Sequence, residues 1–136
     1  GTPAQKGVII LEGGLESPYI ISPPVAFQVQ VQLRIVNNPL PWPFPPAVFN
    51  TEFHIVNLFT GVDVGGSPWT VGAAAIAPLA TPAGDHSIDG AGDVINWYSI
   101  TTPVIAALAP GVYRVVVFGS GGGIFFVHDD TVILVQ

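Results

Sequence analysis

The sequence has no cysteine and no methionine, and only 9% of its residues carry a formal charge. Without cysteine there is no disulfide, no thiolate metal site and no cysteine nucleophile, and thiol usage says nothing about compartment. An average soluble domain is about 25% charged, so a free monomer this poor in charge is unusual. Lys6, Arg34 and Arg114 are the only fixed cations in a chain of net charge −6. That set cannot neutralise a phosphate backbone, which excludes nucleic acid as a partner. Long hydrophobic runs are also missing. Although mean hydropathy is positive, Pro, Gly, Asn or a charge interrupts each apolar stretch well short of the roughly 18 residues that a spanning helix needs. No membrane span is expected, and 14 prolines argue against an outer-membrane barrel.

The signatures of catalysis are absent as well. No Gly-x-Ser-x-Gly elbow occurs, and Gly119-Ser120-Gly121 is followed by glycine and not by a helix. The run Gly119-Ser120-Gly121-Gly122-Gly123 lacks the Gly-Lys-Ser/Thr ending of a phosphate loop. The expectation is a protein that is not an enzyme and has no cofactor, calcium being the one ion considered below. The start Gly1-Thr2-Pro3-Ala4-Gln5 resembles a processed mature N-terminus, so an extracellular or cell-surface location is expected, trimming of a cytosolic chain being the alternative.

With 136 residues, 49% of them apolar, the chain can form one domain with a sizeable core. In the segment Phe27 to Ile35 apolar and polar residues alternate strictly, the pattern of a half-buried antiparallel strand. Phe49 to Phe59 repeats it less cleanly, with Phe53 and Ile55 on one face and Glu52 and His54 on the other. Further strands are predicted at Trp69 to Ala75, Val94 to Thr101, Val112 to Phe118 and Thr131 to Val135, with Ile124 to Val127 as a short partner of the last. The glycine run between two of these patterns reads as a flexible hairpin loop. Thr102 to Leu108 is the only helix candidate, with Thr102 as cap and Pro103 at the first helical position. The expected fold class is all-β, an antiparallel β-sandwich of seven or more strands separated by Gly, Pro, Asn and Asp clusters.

Four segments are candidates for function. Val8, Ile9, Ile10 and Leu11 form an apolar run before Glu12-Gly13-Gly14, which reads as a hinge. Residues 1–14 are thus an N-terminal strand set off from a sandwich domain at 15–136, and the strand pairs either with its own sheet or with a neighbour's. In Pro39 to Pro46 alternate prolines remove the donors from one edge and send Leu40, Trp42 and Phe44 to one side. That row is either a flap over the domain or an outward contact surface. Asp85 to Asp93 packs the carboxylates of Asp85, Asp89 and Asp93 into nine residues, with glycines at 90 and 92 between the last two. Such a flexible oxygen-rich loop suits calcium, and the competing reading is a solvated turn. His128-Asp129-Asp130 is either a weaker set of metal ligands or a bulge or turn between β segments.

The segment Leu108-Ala109-Pro110-Gly111-Val112-Tyr113-Arg114-Val115-Val116-Val117 resembles the Leu-x-Pro-Gly-x-Tyr-x-Val-x-Val signature of secreted immunoglobulin-like β-sandwich modules. The resemblance implies an immunoglobulin-like or jelly-roll-like sandwich in which the Tyr113 hydroxyl bonds to nearby backbone at a corner between sheets. It implies no activity.

Two functions follow as expectations. One is a structural, self-associating subunit of a filament, sheath or layer, a homo-oligomer or polymer in which neighbours hide apolar surface. The other is a carbohydrate-binding module, calcium-assisted or not, with Trp42, Trp69 or Trp97 as stacking platforms and Asp85, Asp89 and Asp93 as ligands.

Overall fold

The computed structural model describes residues 4–37, 44–88, 90, 92 and 94–136, with only the backbone described for 4–6 and 37. The chain is all-β and sandwich-like, built from two five-stranded sheets. Sheet A has the order β2 (Leu15–Ser17), β1 (Ala4–Glu12), β4 (Gln28–Asn37), β8 (Val94–Thr101), β7 (Ala77–Leu79). Sheet B has the order β3 (Ile20–Ile21), β10 (Ile124–Val135), β9 (Gly111–Gly121), β5 (Asn50–Asn57), β6 (Trp69–Gly72). Every pairing is antiparallel except that of β3 with β10, which is parallel. Among the described residues no helix is long and apolar enough to cross a membrane.

Period-two alternation decides which side chains meet. Val29, Val31, Leu33 and Ile35 of β4 are buried, as are Phe53 and Ile55 of β5 and Val115 and Val117 of β9. These inward rows form one core between the sheets. Val8 and Ile10 of β1 belong to it, at 1% and 0% exposure. Their strand lies in its own sheet, paired with β4 through Ile10↔Val29 and Val8↔Val31. Gly13 and Gly14, read as a hinge, are the two-residue turn of the β1–β2 hairpin, with φ of +60° and +82°. Positive φ at both positions is what a hairpin turn matched to the strand twist demands, and glycine adopts it without a Cβ penalty.

The glycine run is also more ordered than a flexible loop. Gly119 and Gly121 are strand residues of β9, and only Gly122 and Gly123 turn the chain into β10. A Cβ on Gly119 would stand 2.4 Å from the Phe126 ring and 2.8 Å from that of Phe49, so this position is a seat for two aromatic rings.

Three expected elements differ. Thr102 to Leu108 is extended and not helical, because backbone groups at Thr102 and Ile105 are already bonded to the segment from Phe27 to Val29. Ile105 and Phe27 exchange both backbone hydrogen bonds, and the Val29 N–H donates to Thr102 Oγ1. The strand at Trp69 ends at Gly72, and Ala73–Ala75 forms a 3₁₀ turn. Ile124 to Val127 does not pair with Thr131 to Val135. Both belong to β10, where a bulge sets Asp129 and Asp130 opposite Val116 alone. The extra residue shifts the inward parity from Ile124 and Phe126 to Ile133 and Val135.

Candidate functional site

Asp85, expected as a calcium ligand, is engaged by partners within the chain. This side chain, 17% exposed, accepts from both Nε and an Nη of Arg34, at 3.1 and 3.4 Å, and from the Trp97 indole N–H at 2.6 Å. The Arg34 bonds and then that of Trp97 hold the Asp85 carboxyl well below the usual carboxylate range. Arg34 and Trp97 are register partners, and Arg34 points away from the core because Leu33 and Ile35 point into it. Asp85 is therefore the clasp that fastens the segment after β7 onto the outer face of sheet A. Asp89 and Asp93 lie outside the described residues, and among the described residues no group of acids and histidines is placed to hold a metal ion.

The tryptophans proposed as sugar platforms are no better placed. Trp97 is 7% exposed beneath that clasp, Trp69 packs partly buried against the core, and Trp42 lies outside the described residues with Leu40. Phe44, the described member of the Leu40-Trp42-Phe44 row, is half-buried. Its ring centroid stands 5.2 Å from that of Phe49 and 5.0 Å from that of Tyr98, so it packs as a flap would. Ile9 and Leu11 of β1 lie half-buried on the outer face of sheet A, opposite the inward Val8 and Ile10.

A second polar cluster sits on the outer face of sheet B. His54 Nδ1 donates to Asp63 at 3.0 Å, and Ser67 donates to the same carboxylate at 3.1 Å. The His54 bond, helped by that of Ser67, lowers the Asp63 pKa against a smaller opposing effect of burial. Histidine and serine both address the acid and not each other, so the hydroxyl is not aligned with a base; the Ile55 N–H donates to it instead. The His54 ring stacks on Phe118 at 5.6 Å.

The third cluster is where the two sheets meet laterally. Beyond its short pairing with β2, β1 has no strand on its outer side among the described residues, and β10 is covered only at Leu134 and Val135, by β3. The two edges lie against each other, and each carries a bulge there, between Gln5 and Gly7 on β1 and between His128 and Thr131 on β10. The bulges open a cleft of about 490 Å³ lined by Gly7, Val8, Tyr19, His128, Asp130, Thr131 and Val132. Within it His128 Nε2 lies 2.8 Å from Asp130 and 2.7 Å from Thr131 Oγ1. A carboxylate only accepts, so Nε2 carries the hydrogen of this pair. The Tyr19 hydroxyl donates to the Val8 carbonyl, which anchors the ring beside the edge strand.

Of the residues singled out in the sequence, His128 and Asp130 come together here, joined by Val8. Tyr19 was not among them. It stands between two short strands and belongs to no periodic pattern; its only signal is an aromatic side chain directly after Pro18, outside any strand that the alternation marks. No protein-family model matches the chain, and no curated protein is significantly similar to it.

Proposed function

We propose that the chain is a structural, self-associating β-sandwich subunit of an extracellular or surface assembly, working without catalysis. The observation that carries this reading is the outer face of sheet B. Phe125 is 59% exposed, Val127 52%, Ile20 51% and Val132 44%. Cross-strand register brings Leu134 beside Ile20 and Val112, and Phe118 beside Val127 on the same face. These apolar side chains fall into two groups along β10, separated by His128 to Asp130 and with Arg114 opposite Val132, and exposed apolar groups of this kind mark contact surfaces. With so few charges in the sequence, little else on the surface opposes association.

The finer fold assignment, immunoglobulin-like or jelly-roll-like, belongs to the same proposal. Its support is Tyr113, whose hydroxyl donates to the Ala109 carbonyl at 2.7 Å as the chain enters β9.

Light scattering coupled to size exclusion tests the reading. The wild-type mass should rise with concentration toward multiples of 14.2 kDa, and the double variant Phe125→Ser/Val132→Thr should remain monomeric with an unchanged unfolding midpoint. A wild-type chain that stays strictly monomeric at millimolar concentration overturns it.

A further inference from the structure

We propose that the cleft at the β1–β10 seam binds a neutral polyhydroxylated ligand, a sugar ring or short oligosaccharide, stacked on Tyr19. The cleft does not end at the seam. A hollow of about 410 Å³ lined by Ile9, Glu16, Ser17, Pro18 and Tyr19 adjoins it. A smaller one of about 160 Å³ adds Gln32 and again includes Gly7, Val8 and Tyr19. Tyr19 lines all three, so the hollows follow one another around the edge strand with this ring at their junction.

The lining has what a sugar ring requires. Tyr19 is 46% exposed while its hydroxyl is tied to the Val8 carbonyl, so an aromatic surface is held in place for the C–H face of a pyranose. Around it stand acceptors for hydroxyl protons: the Glu16 carboxylate and Asp130, whose two oxygens offer more acceptor sites than its bond to His128 uses. Gln32, which donates to Gln30 Oε1, adds an amide to the lining of the smallest hollow. Between these polar groups lie Val8, Ile9 and Val132, an alternation of apolar floor and convergent polar atoms typical of small-ligand sites.

Charge selects among ligands. No lysine or arginine lines the three hollows among the described residues, while Glu16 and Asp130 do. The carboxylates of Glu16 and Asp130 oppose a phosphorylated, sulfated or carboxylated ligand there. A neutral polyol meets acceptors matched to its hydroxyls. The cleft shares Val132 with the apolar face of sheet B, whereas Phe125 lies outside its lining, so Phe125 is the position that separates sugar binding from self-association.

Amide NMR spectra of the whole chain, recorded with hexasaccharides of a β-glucan, a xylan and a mannan at ~10 mM, test the assignment. At least one should shift the amides of Gly7, Val8, Tyr19 and Thr131, with an affinity unchanged between roughly 50 and 500 mM NaCl. Tyr19→Ala should weaken that binding about tenfold or more. Glu16→Ala should weaken it severalfold, and because Glu16 is exposed this variant carries the test even if Tyr19→Ala fails to fold. Phe125→Ser, on sheet B, should leave it unchanged. If none of the three sugars shifts these amides, or if spermidine shifts them when the sugars do not, the proposal is overturned.

Discussion

On sheet A the side chains that face away from the core include Gln28, Gln30, Gln32 and Arg34; on sheet B they include Val112, Val116, Phe118, Phe125 and Val132. Both sets follow from the same alternation, and both flank the same core. The difference lies in how each surface is finished. Gln28 donates to the Thr102 carbonyl, Gln30 to Thr101 Oγ1 and Gln32 to Gln30, a hydrogen-bonded row running along β4. Next to it Ile95 and Trp97 are buried at 2% and 7% although they stand apart from the main core. The segment fastened by Asp85 covers them, and the Ile95 N–H donates to Ser87 on that segment. Sheet A thus buries the outward apolar residues of β8, Ile95 and Trp97, within the chain and leaves Ile9 and Leu11 of β1 half-buried. Sheet B leaves Phe125 and Val132 uncovered, which is the physical basis for assigning association to that face and not to the other.

The largest effect should separate inside from outside on a single strand. Phe126→Ala empties a ring site between Gly119 and Phe49 and should cost about 3–5 kcal/mol, while Phe125→Ala, its exposed neighbour, should stay within about 0.5 kcal/mol. Urea titrations of the two variants make the comparison, and equal losses would mean that the outward face of β10 is not solvent-facing at all. Next in size is association itself. Phe125→Ser/Val132→Thr should weaken it at least about tenfold, whereas Gln28→Ser/Gln30→Ser on sheet A should leave it unchanged; concentration-dependent sedimentation distinguishes the faces, and equal sensitivity would erase the contrast.

The clasp on sheet A should appear as acid sensitivity. Asp85 titrates below its unfolded value, so its contribution to stability is complete above roughly pH 4 and is lost as pH falls toward the depressed folded pKa. Urea midpoints between about pH 2 and pH 6 should therefore fall more steeply for wild type than for Asp85→Asn, which forfeits the ion pair at every pH. Parallel profiles would show that the clasp does not contribute. The smallest effect is expected in the glutamine row, where Gln30→Ala should cost about 0.5–1.5 kcal/mol by removing one half-exposed hydrogen bond. Thermal or urea denaturation would detect it, and a neutral outcome would reduce that row to a surface decoration.

Much of this contrast is legible in the sequence. The strict alternation of Phe27 to Ile35 gives both the strand and its polar outer side, and the apolar residues at both parities in Val112 to Phe118 show that β9 is apolar on two faces. What escaped was the continuity of β10. The parity of apolar residues changes across His128-Asp129-Asp130, so the segment reads as two strands, whereas a bulge lets one strand absorb the change. Asp85 escaped for a different reason. Its spacing from Asp89 and Asp93 suggests a metal loop, but its partners Arg34 and Trp97 are brought to it by the pairing of β4 with β8, which no local pattern encodes.

By itself, then, the sequence determined the all-β class, the inward rows that form the core, and a surface poor in charge, because these depend on side-chain period and composition. Tertiary structure alone decided that Val8 and Ile10 fill the core of their own sandwich, that Asp85 serves as a clasp, and that Tyr19, His128 and Asp130 surround one cleft. Those outcomes depend on which strands become neighbours and at what register, and non-local pairing places residues far apart in the chain within bonding distance.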